Sequence, residues 1–150
     1  MTLFTSKVEY ALRALLDLTE QPSGRAAQSH EIACRQGIPE AYLNQLLVAM
    51  RRAGLVRSIR GASGGYVIGR GAASITVGDV MRAFHGENCF AEETAPRGSC
   101  PRDGGAASVV RDLRRRVDAA LRDLLEGTTL ADLDAERRRL QDSQSLMLGI

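Results

Sequence analysis

The sequence predicts a mainly α-helical fold with a small β-hairpin wing: a winged helix-turn-helix followed by a long amphipathic helix. Three observations predict it. Two short helical segments meet across Gly37-Ile38-Pro39, and a glycine-rich run separates two β-prone stretches between residues 55 and 68. Beyond residue 105, apolar residues recur every three or four positions for about six turns. A chain of 150 residues with 44% hydrophobic content suffices for one modest core with an appended element.

The first helix is expected over residues 6–20, where Val8, Ala11, Leu12, Leu15, Leu16 and Thr19 share one stripe, with Ser6 as N-cap and Glu9 as its capping-box partner. Pro22 and Gly24 then mark a loop over residues 21–27. Ser29 can cap a short second helix that buries Ile32 and Ala33 and stops at Gly37. Tyr42, Leu43, Leu46, Leu47 and Met50 define a third helix ending near Gly54. Residues 55–59 and 66–68 read as two strands joined through Gly61, Gly64 and Gly65, which permit a tight hairpin. A capped helix follows over residues 74–86, with Thr76 ahead of Val77, Val80, Met81 and Phe84.

Residues 87–105 lack periodicity and form a loop longer than a compact domain normally carries without a purpose. After it, Val110, Leu113, Val117, Leu121 and Leu124 line one face of a helix over residues 106–126. Little chain remains to cover that stripe, which points to the same helix of a second subunit; folding back on the first helix is the other solution. Gly127 ends it, a short helix follows over residues 129–140, and the tail is expected to be mobile apart from an apolar anchor at residues 146–148.

Composition excludes several function classes. No apolar stretch approaches the roughly 20 residues needed to span a bilayer, and the first residues lack a signal-peptide pattern, so a cytoplasmic protein is expected. Three cysteines make no even-numbered disulfide framework; Cys89 and Cys100 read better as thiols, metal ligands or redox groups. Cys34 is either a small buried residue or an extra ligand. His30 and His85 have no metal-ligand spacing, and no catalytic triad order, phosphate-cradling loop or paired-carboxylate site emerges, so no enzyme is expected.

Net charge is only +2, too small to argue for a nucleic-acid partner, but its distribution is informative. Residues 41–70 hold Arg51, Arg52, Arg57, Arg60 and Arg70 and no Asp or Glu, a segment able to face phosphates. The second helix of a helix-turn-helix turns its N-terminal residues toward base edges in the major groove, which selects Glu40, Asn44 and Gln45. Amides can pair twice with adenine, a carboxylate can accept from cytosine, and the Tyr42 hydroxyl can reach a phosphate. Arg51, Arg52 and Arg57 would hold the backbone, and Arg60 at the wing tip would enter a minor groove. Two-fold symmetry would call for an inverted-repeat operator.

Four segments carry a resemblance over residues 1–133: Glu9-Tyr-Ala-Leu-Arg13, Ile38-Pro-Glu-Ala-Tyr-Leu-Asn-Gln-Leu46, Gly54-Leu-Val-Arg-Ser-Ile-Arg-Gly-Ala-Ser-Gly-Gly-Tyr66 and Ile75-Thr-Val-Gly-Asp-Val80. In this order and spacing they resemble the Rrf2 family of bacterial transcriptional regulators, which includes the iron-sulfur cluster regulator and the nitric-oxide-sensing repressor. The resemblance implies DNA binding through the wing and a homodimer crossed through the long helix. It divides the chain into a DNA-binding domain at 1–86, a sensor loop at 87–105, a dimerisation helix with a C-terminal helix at 106–140, and a flexible tail at 141–150.

Cluster-binding members of this family carry three loop cysteines. Here Cys89 matches the first and Cys100 the last, and residues 92–94 offer no cysteine between them. The resemblance therefore implies an iron-sulfur cluster, expected as [2Fe-2S], held by Cys89, Cys100 and a non-cysteine ligand. Glu9 aligns with a carboxylate that some members use across the subunit boundary, and Asp103 stands three residues after Cys100, where another member places a histidine. The alternative is a cluster-free sensor in which Cys89 and Cys100 form a reversible disulfide, helped by Arg97 or Arg102. A further alternative is a module that binds protein instead of DNA.

Overall fold

The computed structural model describes residues 4–90 and 105–149. Its elements run α1 (Ser6–Glu20), α2 (Ser29–Gln36), α3 (Glu40–Arg52), β1 (Val56–Ile59), β2 (Gly65–Ile68), a 3-10 turn (Ala72–Ser74), α4 (Val77–His85), α5 (Gly105–Gly127) and α6 (Leu130–Met147). Each helix foreseen in the sequence forms, because its apolar spacing lets one face leave water. Val8, Ala11, Leu12 and Leu15 of α1 meet Ile32 of α2, Leu43, Leu47 and Met50 of α3 and Val80 and Met81 of α4 in one core. Fully burying a leucine such as Leu15 contributes roughly 2 kcal/mol.

The strands pair antiparallel, with Val56 opposite Ile68 and Ile59 opposite Gly65. A third short partner joins them: the Ala27 N–H donates to Tyr66 O at 2.9 Å and the Tyr66 N–H to Ala27 O at 2.7 Å. The wing is thereby stitched to the chain entering α2. Leu130, fully buried, anchors the far end, where its N–H donates to Ile75 O at 2.9 Å and Val77 N–H donates to Thr128 O at 2.9 Å.

Several local expectations are corrected. Thr5, not Ser6, stands at the N-cap of α1 and makes no side-chain cap bond, and Glu9 pairs with Arg13 at 3.7 Å. Gln28, not Ser29, begins α2, with the Glu31 carboxylate accepting its N–H at 2.8 Å. The last helix does not stop at Leu140 but continues to Met147, through residues held by pairs such as Arg138–Asp134 at 3.1 Å; no proline or glycine interrupts it before Gly149. Leu146, Met147 and Leu148, foreseen as an anchor, are exposed. Cys34, foreseen as buried or ligating, is exposed on α2.

The core also holds one charge that hydrophobic periodicity did not announce. Asp17, 1% exposed, accepts from Arg35 Nη2 at 2.7 Å and Nε at 2.9 Å, and from Gln36 Nε2 at 3.0 Å, fastening α1 to α2. The Arg35 guanidinium is pushed above its ordinary value by its hydrogen bonds to Asp17. Asp17→Ala should cost about 2 kcal/mol in urea unfolding, the lower part of the range for a broken buried pair, because Arg35 can turn to water.

Candidate nucleic-acid interface and sensor region

The helix-turn-helix core fixes the outward face of α3. Leu43, Leu46, Leu47 and Met50 are buried, so Glu40, Asn44 and Gln45, on the other side of the helix, are exposed. Tyr42 is half-buried, its ring edge-on to Tyr10 with centroids 5.9 Å apart; Arg13 lies over Tyr10 at 5.3 Å and donates to Gln36 O. Its ring thus braces α3 on α1.

Arg51 and Arg52 end α3, Arg57 lies on β1, and Arg60 follows the strand at the hairpin tip. All four are exposed, and none pairs with a carboxylate among the described residues. The wing's seat depends on Gly65, whose φ of +146° suits glycine and whose added Cβ would meet Ala27 O at 2.4 Å. Gly65→Ala should loosen the wing and cost about 1–3 kcal/mol, measurable by thermal unfolding.

Cys89 lies on the turn after α4, half-buried against the core, its N–H donating to Gly86 O at 3.2 Å. Burial pushes its thiol up, opposed by the Arg82 charge. Glu9 sits in the first turn of α1 with a side chain 58% exposed, held only by Arg13. Cys100, Asp103, Arg97 and Arg102 lie outside the described residues. Among the described residues no three His, Cys, Asp or Glu side chains gather as a metal site.

A charged cluster near Cys89 escaped the sequence reading. Arg82 donates to Asp79 Oδ1 at 2.8 Å and to both Glu126 oxygens, one of them at 3.2 Å. Asp79 also accepts from Arg70 at 2.7 Å and from the Thr76 N–H at 3.0 Å. Burial alone would raise the Asp79 carboxyl, but the Thr76 N–H and the Arg82 and Arg70 charges hold it below its ordinary value. Only the Thr76–Asp79 capping box was legible locally.

Hydrogen bonding to Arg82 likewise holds the Glu126 carboxyl below its ordinary 4.5. Since the folded value is the lower one, this contribution is complete above the unfolded value and is lost as pH falls through the folded value. Glu126→Gln should therefore flatten the acid limb of the melting-temperature profile below pH 4.5, the ordinary carboxyl value.

An exposed recognition helix beside an arginine-bearing wing defines a winged helix-turn-helix DNA-binding protein. A family model described as an iron-dependent transcriptional regulator, Rrf2, matches residues 4–136. The transcriptional regulator IscR of Vibrio campbellii is 36% identical over 148 residues, 97% of this chain and 86% of that protein. The solved global cysteine regulator CymR of B. subtilis superposes with a TM-score of 0.73 at 33% identity, covering 91% of this chain and 98% of CymR. T. potens IscR also reaches 0.73, at 32% identity, covering 92% and 90%. The chain belongs to the Rrf2 family of DNA-binding transcriptional regulators and is not an enzyme. No helix among the described residues is long and apolar enough to cross a membrane.

Proposed function

We propose that the chain is a cytoplasmic homodimeric repressor that binds an inverted-repeat operator, with affinity set by the chemistry of residues 87–105. The observation that carries the reading is the surface of exposed Asn44, Gln45, Arg51, Arg52, Arg57 and Arg60, from a segment with no carboxylate. Glu40, Asn44 and Gln45 read base edges, the arginines and the Tyr42 hydroxyl hold phosphates, and Arg60 enters the minor groove. The second subunit is a copy of this chain: α5 has no buried residue over its length, and Val110, Leu113, Val117 and Leu124 stand exposed along it.

The donor set fits a [2Fe-2S] cluster only with mixed ligation. Cys89 and Cys100 supply two thiolates, and the exposed carboxylate of Glu9 of the partner subunit supplies oxygen, with Asp103 as a weaker substitute. Burial keeps the Cys89 thiol protonated in the free chain, which weakens it as a nucleophile and suits it to deprotonation by a metal. When bound, the cluster supplies a centre whose charge changes with redox state. The chain's own task is to hold the turn at Cys89 in one position and to transmit that position to α4 and α5.

A count of two thiols also favours a second reading, a Cys89–Cys100 disulfide formed by loss of two electrons and two protons to a peroxide-type oxidant. Visible absorption and iron content of protein isolated without oxygen separate the two. A coloured, iron-containing chain that bleaches in Cys89→Ser supports the cluster; a colourless chain with two oxidisable thiols rejects it for the disulfide. Equal operator affinity in both chemical states would reject regulation through this loop.

A further inference from the structure

We propose that Arg82 is a positioning residue, the joint through which the turn carrying Cys89 and the end of α5 are tied to the wing. The inference rests on the regulatory reading above.

A continuous run of hydrogen bonds supports it. Cys89 N–H donates to Gly86 O at 3.2 Å, and Gly86 N–H donates to the carbonyl of Arg82 at 2.9 Å. The Arg82 side chain then grips Asp79 of its own helix and Glu126 in the last turn of α5. Asp79 grips Arg70, two residues past the end of β2, at 2.7 Å. Three elements far apart in sequence thus converge on one guanidinium, whose flat, multiply donating shape suits two carboxylates at once.

The joint is also close-packed. Gly78 of α4 faces the Glu126 carboxylate so closely that an added Cβ would lie 2.7 Å from it, and Thr76 Oγ1 donates to Glu126 at 3.4 Å. Arg82 borders two hollows. One, of about 510 Å³, is shared with Ala49, Arg52 and Arg70 at the end of the recognition helix. The other, of about 400 Å³, is shared with Asn88 and Phe90, the residues flanking Cys89. Arg82 therefore stands between the sensor turn and the DNA-facing end of α3. A shift of the turn that draws back the last turn of α4 must either carry Asp79, Glu126 and Arg70 along or break their bonds.

The test uses the full-length chain and a duplex that it selects from a random pool. Operator affinity is measured before and after treatment with an iron chelator and reductant, for wild type, Arg82→Gln, Glu126→Gln and the double variant. Wild type is expected to change affinity at least about fivefold between the two states. Each single variant should bring that ratio near one, the double variant should go no further, and the salt dependence should keep its slope.

Additive effects of the two substitutions, or a variant that keeps the wild-type ratio, would overturn the joint. So would a slope reduced by about one in Arg82→Gln, which marks a phosphate contact. Should Arg82→Gln fail to fold, Glu126→Gln, at the half-exposed end of α5, decides alone. A wild-type ratio of one rejects the regulatory reading itself and the coupling with it, an outcome distinct from a wild-type ratio that the variants leave intact.

Discussion

Replacing Arg51, Arg57 and Arg60 together by alanine is expected to weaken duplex binding by at least about a hundredfold and to lower the slope of log affinity against log salt by about 3. The three side chains are exposed and pair with no carboxylate among the described residues, so their charge is free for phosphates and their loss should leave the melting temperature nearly unchanged. Each phosphate contact releases condensed counterions, which is why the slope counts contacts and the affinity does not. Titration at several salt concentrations checks the result. Loss of affinity with an unchanged slope would assign these arginines a structural role, and unchanged binding of a protein partner would favour the interaction-module reading.

The second large effect is expected along α5. Leu113→Glu with Val117→Glu should convert a dimer into a monomer and weaken operator binding by about a hundredfold or more, since one recognition helix without its tethered twin loses the gain of simultaneous binding. The two residues are 54% and 50% exposed in the single chain, a large apolar area to leave in water on a helix of this length. Two carboxylates set into the face that must lose its water would repel their symmetry mates and oppose pairing. Because α5 buries no residue within its own chain, the DNA-binding body should melt much as before. Sedimentation with operator titration tests both halves; a variant that remains dimeric would place the interface elsewhere.

What the sequence made legible follows from the range of each interaction. Helix faces and the hairpin were readable because their signals recur within a few residues, as with Leu43, Leu47 and Met50 or the glycines around the wing. Caps slipped by one residue because Thr5 and Ser6, or Gln28 and Ser29, are chemically similar candidates side by side. The length of α6 was underread because apolar periodicity reports burial, and its last turns are helical without being buried. Asp17–Arg35, Arg82–Glu126 and the Ala27–Tyr66 bridge join residues 18, 44 and 39 positions apart, which no local pattern encodes.

The site divides in the same way. Asn44, Gln45 and the arginines were found because exposure follows from helical phase and from the absence of acids nearby. Tyr42 showed its polar end in the sequence and its packing role only beside Tyr10. Arg82 gave no signal of its own, being one arginine among many until α4, α5 and the segment after the wing are brought together.

The central claim is that two copies of this chain present recognition helices to successive major grooves of one duplex. Selection of bound sequences from a random duplex pool, followed by footprinting and the mass of the complex, tests it most directly. The account predicts an inverted repeat with half-sites about one helical turn, roughly 34 Å, apart, and two chains per duplex. A single protected half-site with one chain bound, or no sequence enrichment at moderate salt, would contradict it.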